Sequence, residues 1–129
     1  MAKTFLQIGG VLLFIAVVLG AFAAHGLEDK ITPEQIDTFE TGVRYQFYHA
    51  FGMLLIGILL HLNFPASLRW VAWCFLTGIV LFSGSIYLLA CRDFLGIASW
   101  SWLGPITPIG GTFLIVGWAL FAWKMRSTS

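Results

Sequence analysis

With 129 residues the chain has room for one domain, and a composition of 59% hydrophobic and 10% charged residues, with a mean hydropathy of +0.89, excludes a soluble globular protein. The seven Lys and Arg are scattered and the net charge is only +1, so the chain has no basic footprint for nucleic acid. The composition is that of a membrane protein.

Residues 4–24 carry no charge and are long enough to cross about 30 Å of hydrocarbon, so they are read as span one. Ala21–Ala24 has the small-residue form of a signal-peptidase site, but the apolar run before it exceeds the roughly 7–15 residues of a signal core, which favours a span. Ala16, Gly20 and Ala24 recur every four residues and predict a face that a neighbouring helix approaches closely. After His25 the chain leaves the membrane. Thr32-Pro-Glu-Gln35 is a helix start: Thr32 can cap, Pro33 suits the first helical position and Gln35 can complete a capping box. Ile36, Phe39 and Val43 then follow at helical spacing, with Glu34, Asp37 and Glu40 on the other face. This predicts an amphipathic interfacial helix over about 33–41 that bends near Gly42 into span two at about 43–62.

Asn63-Phe-Pro-Ala-Ser67 is a short turn, and its brevity makes the flanking helices antiparallel neighbours. Span three, about 70–91, starts at the aromatic pair Trp70 and Trp73 and ends before Arg92. Cys74 and Cys91 lie on it seventeen positions apart, about 25 Å along a helix, so they cannot pair and are read as packing residues. A segment with Trp100 and Trp102 leads to span four, about 104–123. Within Gly104-Pro-Ile-Thr-Pro-Ile-Gly-Gly111 the two prolines predict an extended or kinked backbone. The whole is an all-α membrane protein, a bundle of four transmembrane helices with an interfacial helix between spans one and two.

Four spans put both termini and the Arg69 loop on one side with four Lys or Arg, against Lys30, Arg44 and Arg92 on the other. Both termini are therefore expected in the cytoplasm and the protein in the cell's inner membrane. Alternating helix direction also brings the end of span one, the start of span two, the end of span three and the start of span four to one face. His25, Arg44, Tyr45, Gln46, His49, Ser83, Ser85, Tyr87 and Thr107 are accordingly expected to form one polar cluster in the outer leaflet. Tyr45 and His49, four residues apart, share a helix face, where a phenol can bond an imidazole directly or through water. His49→Ala and Tyr45→Phe are expected to disturb this cluster more than Cys74→Ala disturbs the protein.

The residues leave three readings of that cluster. The first is an interhelical hydrogen-bond network in a structural or partner-binding module, since such bonds average about 0.6 kcal/mol each and several can hold a small bundle in register. Its partners are membrane lipids, further copies of the chain or another membrane protein. The second is a pocket that binds or translocates a small solute, a lipid or an ion, supported by the interrupted 104–111 segment. The third is a haem or metal site through His25 and His49, although two His ligands fall short of a usual zinc set. No HExxH, nucleophile elbow, Walker motif or intramembrane carboxylate pair is present, so neither catalysis nor a resident cofactor is expected.

Four ordered motifs carry a family resemblance over nearly the whole chain. They are Gly20-Ala-Phe-Ala-Ala-His-Gly-Leu27, Thr41-Gly-Val-Arg-Tyr-Gln-Phe-Tyr-His-Ala50, Leu81-Phe-Ser-Gly-Ser-Ile-Tyr87 and Gly104-Pro-Ile-Thr-Pro-Ile-Gly-Gly111, followed by Gly117-Trp118. In these the chain resembles the small four-span membrane proteins of the YgdD and YwdK type, a family defined by a domain of unknown function. Ala23 and Gly42 stand where that family usually has Gly and Ala, and both substitutes are small enough to preserve close packing. The resemblance implies four spans and an inner-membrane address in bacteria, and it brings no established activity.

Overall fold

The computed structural model describes residues 1–126. Helix α1 is Ala2–Ala21, continued by a wider π turn over Phe22–Gly26 that closes with Leu27 N–H donating to the Phe22 carbonyl at 3.0 Å. α2 is Pro33–His61. α3, Arg69–Gly78, passes through a second π turn, Ile79–Ser83, into α4, Gly84–Ala90, and the three form one rod. A short α5, Arg92–Leu95, precedes α6, Leu103–Arg126. Four of these segments, Ala2–Gly26, Pro33–His61, Ala66–Ala90 and Leu103–Arg126, are long and apolar enough to cross a membrane. The physical reason for an all-helical build is that lipid offers no hydrogen bonds, so each segment must satisfy its own backbone.

The capping box forms as expected: Gln35 N–H donates to Thr32 Oγ1 at 3.2 Å, and Thr32 N–H donates to Gln35 Oε1 at 3.0 Å. Beyond this cap the helix departs from expectation. The interfacial helix and span two are one unbroken helix, because Gly42 is not a hinge but a buried contact lying against Ile86 and Tyr87. The first turns of α2 keep their amphipathic character, with Phe39 buried and Glu34 and Asp37 exposed. At its other end Asn63 turns the chain with φ 66°, a left-handed conformation that Asn tolerates better than most residues.

The 104–111 segment is likewise helical rather than extended. Pro105 lies in the first turn of α6, where a missing N–H costs nothing, and the carbonyl that Pro108 leaves unbonded belongs to exposed Gly104 at the helix start. Thr112 Oγ1 donates to the Pro108 carbonyl at 2.8 Å. The support that a translocation pocket drew from irregular backbone here is therefore removed.

α1 packs along α2, α6 along the α3–α4 rod, and α2 touches both α1 and the rod, so α2 and the rod are central. The buried seam of α1 and its π turn is Phe5, Gly9, Ala16 and Ala23; of the expected Ala16, Gly20 and Ala24, Ala16 lies in it and Gly20 faces Val43 of α2, whereas Ala24 is exposed. Steps of four, seven and seven keep one stripe against a neighbour in a left-handed crossing, whereas steps of four drift off it. Two apolar clusters result. Phe5, Met53, Ile56, Leu68, Val71, Ala72, Phe75 and Ile79 fill one end of the bundle; Ala23, Leu27, Ile31, Phe39, Val43, Ala90 and Cys91 fill the other.

Candidate functional site

Between those clusters lies a band of polar side chains. Gln46 and His49 stand about 20 and 24 Å along α2 from Pro33 at 1.5 Å per residue, near the middle of the helix and deeper than its rim. Gln46 links three spans: its Nε2 donates to the Leu12 carbonyl of α1 at 2.7 Å, and its Oε1 accepts from Tyr87 Oη of α4 at 2.6 Å. The orientation follows from chemistry, because a carbonyl can only accept, so the amide nitrogen must face Leu12 and leave the oxygen for Tyr87. Ser83 Oγ donates to the Gly42 carbonyl at 2.7 Å, and Ser85 Oγ shares a hydrogen bond with Thr107 Oγ1 of α6. The π turn sets this pair, since its extra residue rotates the chain so that Ser83 meets α2 and Ser85 meets α6.

His49 closes the circuit. Its Nδ1 lies 2.8 Å from the Tyr45 carbonyl, an acceptor only, and its Nε2 lies 2.9 Å from Trp118 Nε1, a donor only. The ring must therefore carry its proton on Nδ1 and offer Nε2 as acceptor. Bond by bond the network joins α1 to α2, α2 to α4, α2 to α6 and α4 to α6. Among the described residues no buried side-chain nitrogen or oxygen lacks a partner.

Of the residues expected to converge, Gln46, His49, Ser83, Ser85, Tyr87 and Thr107 do so. His25, Arg44 and Tyr45 do not. His25 is exposed on the π turn after α1, which packs at the level of Phe39 and Val43, and both nitrogens of His49 are already engaged. The two imidazoles are not brought to one site, and among the described residues no group of three or more His, Cys, Asp or Glu is placed to hold a metal ion. Arg44 is exposed, with its Nη2 donating to Thr41 Oγ1 on the same helix at 3.0 Å. The Tyr45 ring lies tilted against Phe82 with centroids 4.8 Å apart and nearly parallel to the His49 ring at 6.1 Å, but its hydrogen bond with His49 is made by the backbone carbonyl and not by the hydroxyl. Tyr45→Phe should consequently change stability by no more than about 0.5 kcal/mol, measured as the unfolding midpoint in mixed detergent micelles.

Sequence reading missed Trp118 and the two backbone acceptors on Leu12 and Gly42. Trp118 left a signal: it sits five residues inside Trp123 at the end of the span, too deep for an interfacial belt, and a buried indole N–H needs an acceptor. Carbonyl acceptors leave none, because every residue carries one.

Fold and site together define a small four-span helical membrane protein whose spans are tied to one another by an internal hydrogen-bond network. The chain belongs to the DUF423 family of proteins of unknown function, whose model matches residues 19–111. It is 42% identical over 118 residues to a UPF0382 membrane protein of Staphylococcus saprophyticus, covering 92% of each chain. It is 40% identical over 119 residues to the UPF0382 membrane protein YwdK of Bacillus subtilis, again covering 92% of each, which bears out the resemblance read from the motifs. A UPF0382 membrane protein of Staphylococcus aureus is 36% identical over 118 residues, covering 92% of this chain and 91% of the relative. No solved structure matches the chain.

Proposed function

We propose that the chain is a non-catalytic structural module of the inner membrane, with both termini in the cytoplasm, that presents its lipid-facing helices to a membrane-protein partner or to further copies of itself. The observation that carries this reading is the closed network: each buried hydrogen-bonding side chain among the described residues is engaged by another protein group, so the band acts as a fastener and leaves no interior group directed at a ligand. Buried polar ties of this kind hold helices in one register, and a fixed register gives the outer faces a definite shape. On α1 that face includes Phe14 and, one turn away, Gly10, where nothing lies within 4 Å of the position a side chain would take. A second helix can approach there.

The test is the mass of the gently released protein, for wild type and for Ser85→Ala, by native mass spectrometry with an absorbance scan. A fixed protein stoichiometry in both supports the module. A monomer in both, carrying a small polar molecule or haem, overturns it. The cytoplasmic termini are checked separately: alkaline phosphatase fused after Arg126 should be inactive, and fused after Ser99 it should be active.

A further inference from the structure

Of the three glutamines, Gln35 and Gln46 are bonded within the chain, whereas Gln7 is exposed on the lipid-facing side of α1. Its amide makes no hydrogen bond among the described residues, not even to Thr4 one turn back. Packing fixes its depth. Gly9 lies against Ala50 and Leu54 of α2, and Gly57 lies against Ala2 and Leu6 of α1, so the antiparallel pair sets Gln7 level with about Leu54. From there α2 continues about 10 Å toward the same membrane face before it ends at His61. Along that stretch Ile58 is exposed, and Leu62 follows just beyond it, so apolar side chains meet lipid farther out than Gln7. A glutamine leaning toward its helix N-terminus covers only part of that distance.

An amide at this depth needs a partner, because leaving it unpaired in hydrocarbon is costly and acyl chains offer it no hydrogen bond. Membrane orientation and amide chemistry together choose that partner. Copies inserted in one orientation carry α1 parallel, so across a two-fold axis along the membrane normal identical residues face each other at one depth. A primary amide both donates and accepts, so two Gln7 side chains satisfy one another, each oxygen taking an N–H of the other. The neighbouring surface lets the helices approach. Gly10 has nothing within 4 Å of the position a Cβ would take, and exposed Phe14 and Val17 continue the same face in steps of four and three.

We propose that the chain pairs with a second copy of itself through α1, in parallel, with the two Gln7 amides bonded to each other across the two-fold axis. Gly10, Phe14 and Val17 pack in the seam beside them. This assignment rests on the structural-module reading and names the partner of that module.

The experiment has two parts. In full-length protein carrying Cys74→Ala and Cys91→Ala, one cysteine is added at a time and oxidised in native membranes with copper phenanthroline. Val17→Cys should give a disulfide-linked dimer, whereas Phe51→Cys and Ile115→Cys, on the exposed sides of α2 and α6, should remain monomeric. Native mass spectrometry over a dilution series in detergent then reads the strength of the pair. Gln7→Leu should weaken dimerisation about tenfold, and Gln7→Asn, which keeps an amide, should stay within about threefold of wild type. Both variants alter an exposed residue that holds no other side chain in place, so the monomer fold is not at risk. Cross-linking at Phe51 or Ile115 in place of Val17, an unchanged affinity in Gln7→Leu, or a fixed complex with a different protein would overturn the α1 pairing and leave the module reading standing. A monomer carrying a small polar molecule or haem would overturn both.

Discussion

Gly110→Ala should lower the stability of the bundle by about 3 kcal/mol, whereas Gly84→Ala and Gly10→Ala should leave it within about 0.5 kcal/mol of wild type. At Gly110 the backbone of α6 rests directly on the backbone of the π turn. A Cβ there would meet Phe82 N and stand 2.7 Å from both the Leu81 carbonyl carbon and Phe82 Cα. Backbone cannot rotate aside as a side chain can, so α6 must move away bodily. That motion also pulls Thr107, one turn along α6, from Ser85. Gly84 and Gly10 have nothing within 4 Å of the same position, so an added methyl meets no obstacle and slightly favours the helix. Unfolding of the three variants by sodium dodecyl sulfate in mixed micelles measures the difference. Equal midpoints would mean that α6 does not pack on the π turn at all.

Gln46→Leu should cost about 2 kcal/mol, because it removes two interhelical bonds and leaves the Tyr87 hydroxyl buried without an acceptor. Tyr87→Phe should cost about 1 kcal/mol, since it orphans the amide oxygen but leaves the bond to Leu12 intact. The double variant should then be about 1 kcal/mol more stable than the sum of the two losses predicts, because one missing bond has been counted twice. Strict additivity would show that the 2.6 Å contact carries no energy of its own. The same cycle on His49 and Trp118 is less clean, since His49 also packs edge to face on Phe75 at 5.4 Å and its removal leaves a void.

The capping box at Thr32 and Gln35, the turn at Asn63 and the polar residue types of the band are all legible in the chain, because each depends on neighbours a few positions away. Errors appear where local rules meet close packing. Gly42 has the look of a hinge, yet it is held in a continuous helix by Tyr87 and Ile86 across the interface. Pro108 has the look of a helix breaker, yet the carbonyl it abandons is exposed at a helix start. Tyr45 has the spacing of a partner for His49, yet the imidazole takes the Tyr45 carbonyl and the indole of Trp118, sixty-nine positions distant.

By itself the sequence determined that this is a membrane protein with four helical spans, because lipid leaves the polar backbone of an apolar segment no alternative to bonding within that segment. It also determined which polar groups would have to be accommodated at membrane depth. Only the tertiary structure decided which of them meet. Pairing depends on the rotation of each helix about its axis and on its sliding along its neighbours, quantities set by where glycines let backbones touch and where a π turn adds a residue. Those contacts join positions thirty to seventy residues apart, where no periodicity along the chain can specify a partner.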